Sequence, residues 1–389
     1  MLVIRAARLF DGESAEPIEH PVVLVDDGRI VAAGSGLQPP EDAEAIDLGG
    51  ATLLPGLIDG HIHLTFDASR DPVGRFDRVD DAELLAGARI AARRALEAGI
   101  TTVRDLGDRG YVTVQLRDEL ARDPAAGAQI LAAGPPITTS RGHCWFLGGE
   151  SRGADGVRAA VRERADRGAD VIKVMATGGE LTAGTRVYEA QFGLPEMLAA
   201  ADEAHRLGLP ITAHAHGAPG IAQAAAARFD SVEHCSFLTE SGAKVDPAVL
   251  DALVEAGVTV SATLGHLPGF APPARIAALL PQLTEVFRHI RVCGVQVVCS
   301  SDAGIGPAKP HDCLPYGIAD MVNLLGYSTV EALRSATSAA ARVCRVGDRK
   351  GRIAAGYDAD LLAVDGDPFT DIAALHSVAA VFRSGVRVR

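Results

Sequence analysis

From about Leu53 onward, short apolar runs alternate with Ala-rich stretches of helical spacing, which restricts the chain to βα units around a parallel sheet. Eight strands are expected, at 57–63, 101–105, 129–133, 170–175, 210–214, 231–234, 259–264 and 296–301. Segments such as 81–98, 153–167 and 194–207 carry apolar residues at helical intervals and supply helices between them. Eight such repeats in one domain point to a closed barrel rather than an open sheet. The expected fold class is α/β, a (β/α)8 TIM barrel.

The two ends read differently. Residues 2–48 and 351–389 are rich in alternating strands and Gly turns, without helices long enough to continue the barrel. Asp26-Asp27-Gly28-Arg29 reads as a hairpin turn, and Gly351 to Gly356 precedes another strand at 360–365. Both ends are expected to pair into one small, discontinuous β-sandwich, with 1–54 and 346–389 flanking a barrel at 55–345.

At 389 residues, with 48% hydrophobic and 22% charged positions, the chain can bury a large core and is far from disordered composition. A formal charge of −13 disfavours phosphate backbones and anionic lipid, so no nucleic-acid or membrane partner is expected. No apolar run approaches the roughly 20 residues that span a bilayer. The first ten residues carry Arg5 and Arg8 where a signal peptide needs an apolar core. Six cysteines without a Cys-x-x-Cys pair are sparse for a disulfide scaffold and read as reduced thiols. A cytoplasmic homo-oligomer acting on a small molecule is the expectation.

Chemistry concentrates at strand ends. In Pro55-Gly56-Leu57-Ile58-Asp59-Gly60-His61-Ile62-His63, a period of two puts His61 and His63 on one side of the strand, as two imidazoles sharing a cation require. Strands four, five, six and eight end near Lys173, His214, His234 and Asp302, each able to ligate metal. Lys173 lies inside the apolar run Val171-Ile172-Lys173-Val174-Met175, where a free ammonium is costly. Reaction of its nitrogen with CO₂ would make a carbamate, an anionic oxygen donor for two cations. Each of these residues alone has an ordinary explanation, such as core histidine, surface lysine or turn-capping Asp. Their recurrence at successive strand ends, where barrel active sites gather, favours the metal reading.

These segments, together with Gly99-Ile100-Thr101-Thr102-Val103-Arg104-Asp105, Ala213-His214-Ala215-His216, Glu233-His234 and Ser301-Asp302-Ala303, resemble the amidohydrolase superfamily over nearly the whole chain. The match looks closest to the prolidase-like and imidazolonepropionase-related members that carry a carboxylated lysine. That resemblance implies one cation on His61, His63 and Asp302, a more exposed one on His214 and His234, and a carboxylated Lys173 bridging them. Zinc is the expected metal, with four histidines present. His216 is expected to support the site rather than ligate.

Two cations roughly 3.5–4 Å apart acidify a shared hydroxide and polarise a carbonyl. Asp302 would then move the proton to the leaving amine. The expected activity is hydrolysis of an amide bond in a dipeptide or N-acyl amino acid. Cyclic amide, lactone or carbamate hydrolysis, a biosynthetic cyclisation or condensation, and a noncatalytic scaffold are the alternatives. No Gly-x-Ser-x-Gly elbow or phosphate loop competes. Loops after strands three, four and seven offer Arg141, His143, Arg186, Tyr188 and His266 as substrate-binding candidates, with His143 also placed to act on the scissile carbonyl.

Overall fold

The computed structural model describes residues 1–270, 272 and 274–389. Eight parallel strands form its centre: β1 (Leu57–Ile62), β2 (Ile100–Asp105), β3 (Gln129–Ala132), β4 (Ile172–Met175), β5 (Ile211–Ala215), β6 (Ser231–His234), β7 (Thr259–Thr263) and β8 (Val297–Ser300). Nearly every residue in them is buried, because helices cover the outside and side chains fill the inside. Hence these strands read as apolar runs, and the eight expected ones lie within two residues of the observed bounds.

Pairing runs β3-β2-β1 in one arc and β4-β5-β6-β7-β8 in the other. Two seams join the arcs. At one, the Ile137 amide donates to the Lys173 carbonyl at 2.8 Å and the Ile137 carbonyl accepts from the Met175 amide at 2.8 Å. At the other, Asp302 donates to His61 at 2.7 Å and His63 to Ala303 at 2.9 Å. Those bonds close the (β/α)8 barrel, and the second one fixes two candidate ligands of β1 against a third after β8.

Both chain ends build the sandwich. One sheet orders Arg29–Ser35, Pro21–Asp26, Leu2–Arg5 and Glu44–Asp47. The other orders Val386–Arg387, Val378–Arg383, Leu361–Val364, Thr52–Pro55, Arg8–Leu9 and Ile18–Glu19. Ile4, Leu9, Val23, Ile30, Leu53, Leu361 and Phe382 share its core, so N- and C-terminal residues pack on each other. The hairpin turn falls where expected: Asp27 and Gly28 have φ of 44° and 73°, the paired positive values that match strand twist in a two-residue turn. Among the described residues no helix is long and apolar enough to cross a membrane.

Candidate metal centre

The ends of β1 and β8 are tied together before any cation is considered. Asp59 accepts from the Ser301 amide at 3.0 Å, from its hydroxyl, and from the His61 amide at 3.2 Å. Asp302 follows with φ of 58°, a left-handed backbone that a short polar residue tolerates. Lys309, buried, donates to the carbonyls of Ser301 at 2.6 Å and Thr263 at 3.2 Å, bracing this turn from β7. His311 donates to the His63 carbonyl at 3.0 Å.

His61 Nε2, His63 Nε2 and Asp302 Oδ1 then form a triangle with edges of 3.3, 3.4 and 3.3 Å. On the far side of the His61 ring, Nδ1 lies 3.0 Å from Glu233 Oε2. A carboxylate accepts, so Nδ1 carries the proton and Nε2 presents a lone pair to the triangle. Burial, with Lys173 nearby, lowers the His61 pKa to about 4, keeping the ring neutral. Burial pushes Asp302 upward, but His61, His63 and Lys309 outweigh it and hold the carboxylate below its ordinary range. Ligand atoms about 2.0–2.1 Å from a tetrahedral cation sit about 3.3–3.4 Å from each other. The triangle has that size.

A second group, His214, His216 and His234, brings one nitrogen from each ring within 4.8 Å of the others. Burial is the main reason His214 and His234 lie well below the ordinary imidazole pKa. His214 Nε2 donates to the Gly178 carbonyl at 3.1 Å, freeing Nδ1. His234 bonds Thr263 Oγ1 through Nδ1 at 2.9 Å, leaving Nε2. His216, expected only as support, sits within ligating reach; its Nδ1 is held by Ser236 Oγ at 2.7 Å and its ring stacks on His234.

Lys173 is fully buried and its Nζ has no hydrogen-bond partner. Its charge is felt by His61 in the first group and by His214 and His234 in the second. Burial lowers its pKa to about 8 against the pull of Glu233 and Asp302. A buried amine with no hydrogen-bond partner is costly to keep as a bare ammonium.

Of the substrate-binding candidates, only His143 joins the cluster. Its buried ring is 4.5 Å from that of His214, its Nδ1 has no partner, and burial brings its pKa to about 3. Arg186 and half-buried Tyr188 line a 240 Å³ cavity with Arg275, which sequence reading had not singled out. Arg186 is exposed there and paired with Glu189 at 2.8 Å. Arg141 lies over the Trp145 ring at 5.8 Å, and His266 is exposed. Neither is gathered into the cluster.

The sequence pattern of the amidohydrolase family matches residues 52–388. This chain belongs to that family. It is 26% identical to an ochratoxinase of Aspergillus niger over 97% of this chain and 84% of the relative. Identity to an imidazolonepropionase of Salinispora arenicola (strain CNS-205) is 28%, over 89% and 86%. Among solved structures, a Xaa-Pro dipeptidase with methionine bound in its active site superposes with a TM-score of 0.87 at 30% identity, covering 99% of both chains. As an amidohydrolase, the protein is a metal-dependent hydrolase acting on C–N bonds of small molecules.

Proposed function

We propose that this amidohydrolase cleaves the amide bond of a dipeptide or N-acyl amino acid. The observation that carries the reading is the triangle of His61, His63 and Asp302 beside the His214 and His234 pair, with an unpartnered buried Lys173 electrostatically coupled to both. The solved Xaa-Pro dipeptidase of 30% identity supports the substrate class.

His61, His63 and Asp302 would hold one divalent cation and His214 and His234 another, zinc being favoured by the imidazole-rich set. Lys173, as its carbamate, would give each an oxygen. When bound, the cations acidify water and polarise a carbonyl. Asp302 Oδ1 completes the triangle, and Oδ2 would be the oxygen left to take a proton from the attacking water and pass it to the leaving nitrogen. His143, neutral and with Nδ1 free, would hydrogen-bond the substrate oxygen. Arg186 and Tyr188 line the cavity from which a substrate carboxylate would be gripped, whereas Arg141 and His266 lie outside its wall.

The test is metal analysis and a substrate panel on protein made with added zinc and bicarbonate. Two cations per chain and turnover of dipeptides or acyl-amino acids are expected. Turnover confined to lactams or lactones would move the reading to ring opening, and an empty centre would end it. Lys173→Ala should cost activity strongly, with partial recovery in short carboxylic acids; a variant as active as the parent would remove the carbamate.

A further inference from the structure

A cavity of 440 Å³ opens at the other end of the barrel, where the start of β3 and the turn into β4 meet the sandwich. Arg29, Arg117, Arg349 and Arg383 stand in its wall. Their carboxylate partners are unevenly shared. Arg117 is neutralised twice, by Asp118 at 2.9 Å and Asp170 at 2.7 Å. Arg29 and Arg349 divide a single carboxylate, Asp358, at 3.4 and 3.7 Å, which also takes Lys350 at 3.0 Å. Lys350 is further bound by Asp360, and the remaining acid of the wall, Asp27, is exposed on the hairpin turn.

Arg383 makes no ion pair among the described residues, although it is only 5% exposed. One of its terminal nitrogens donates to the carbonyls of Pro124 at 3.0 Å and Gly127 at 2.6 Å, while its Nε is buried with no partner. Guanidinium does not escape by deprotonation, and the carboxylates of Asp360, Asp123 and Asp358 act on this one without forming an ion pair, so its Nε is left without a partner. We propose that this cavity binds a small oxyanion, a phosphate ester or carboxylate, which pairs with Arg383 and is completed by Arg29 and Arg349. Planar guanidinium forks suit both oxyanions, and the volume is that of a small-molecule site. The wall draws on the sandwich through Arg29 and Arg383 and on the barrel through Arg117, so a ligand there clamps the two together.

Calorimetric titration of the metal-loaded full chain with inorganic phosphate, sulfate and succinate, at ionic strength held constant with sodium chloride, tests this. Saturable one-site binding is expected, and the ranking of the three separates the tetrahedral from the carboxylate source. Phosphate also reaches metal centres, so the titration is repeated on Arg29→Gln/Arg349→Gln, whose side chains are 46% and 42% exposed. That variant should bind at least tenfold more weakly, with metal content and turnover unchanged. Arg383→Gln should abolish binding; if it fails to fold, the double variant decides. No saturable binding by any of the three anions overturns the proposal, and so does undiminished affinity in the double variant.

Discussion

The buried charges that matter most beyond the candidate ligands are Glu233 of β6 and Arg104 of β2, which belong to different arcs of the barrel and pair with each other. Arg104 bonds the Gly60 carbonyl at 2.7 Å and Glu233 at 2.9 Å, while Thr212 donates to the same carboxylate at 2.6 Å. Glu233 thereby fixes both the tautomer and the tilt of His61. Glu233→Gln, which keeps the shape, is expected to weaken metal binding by about 10–100-fold, the usual cost of removing such a partner. Competition with a chromogenic chelator would measure it, and an unchanged affinity would show that His61 is oriented by packing alone. Glu233→Ala should in addition destabilise by about 3–5 kcal/mol, since it strands a buried guanidinium; denaturant unfolding reads this. This pair went unread in the sequence, although the reasoning that picked out Lys173 applies to it unchanged. Arg104 sits in Thr101-Thr102-Val103-Arg104 within a buried strand, just as Lys173 sits among valine, isoleucine and methionine. What sequence withholds is the partner: Arg104 and Glu233 are 129 residues apart.

Strands were legible and loops were not, and the reason is physical. A strand buried on both faces is rich in apolar residues, so strands such as β4, β5 and β8 announce themselves, and the histidines, lysine and aspartate at the strand ends mark the mouth. A loop's direction is decided by what packs beneath it, which is why His143 turned inward while Arg141, two residues earlier, faces Trp145. The inward turn depends on Gly179 in the loop after β4. A Cβ there would lie 2.3 Å from His143 Cε1 and Nε2, closer than atoms approach. Gly179→Ala is therefore expected to displace the imidazole and lower kcat/KM at least tenfold, about 1.4 kcal/mol or more in the barrier. Metal content and unfolding midpoint should hardly move. Parent-like kinetics would mean that His143 takes no part in the reaction, whereas a collapse of stability would make Gly179 a folding residue.

At the scale of the whole molecule we propose the boundaries 1–54, 55–345 and 346–389, yet the two parts are fastened too closely to behave independently. The Gly56 amide, at the entry to β1, donates to Asp360 of the sandwich at 2.9 Å, and Ser338 Oγ bonds the Gly12 carbonyl at 2.6 Å. Arg383 reaches the carbonyls of 124 and 127, Arg389 that of Glu97 at 3.0 Å, and Leu362 packs where a Cβ on Gly99 would fall. Each fastening lies at the barrel's foot, far in sequence from its partner, and the strand Thr52–Pro55 is itself paired to Leu361–Val364. Scanning calorimetry should accordingly show the barrel and sandwich melting in one transition. On the proposed reading, divalent cations bind the folded arrangement of β1, β5, β6 and β8 in preference to the unfolded chain, so saturating them should raise that single Tm. At a free concentration of a hundred times Kd the gain is about 2.7 kcal/mol. Chelation should lower the same transition without splitting it. Two resolved transitions, with only one responding to metal, would show that the sandwich folds alone and that the contacts across the barrel's foot contribute little.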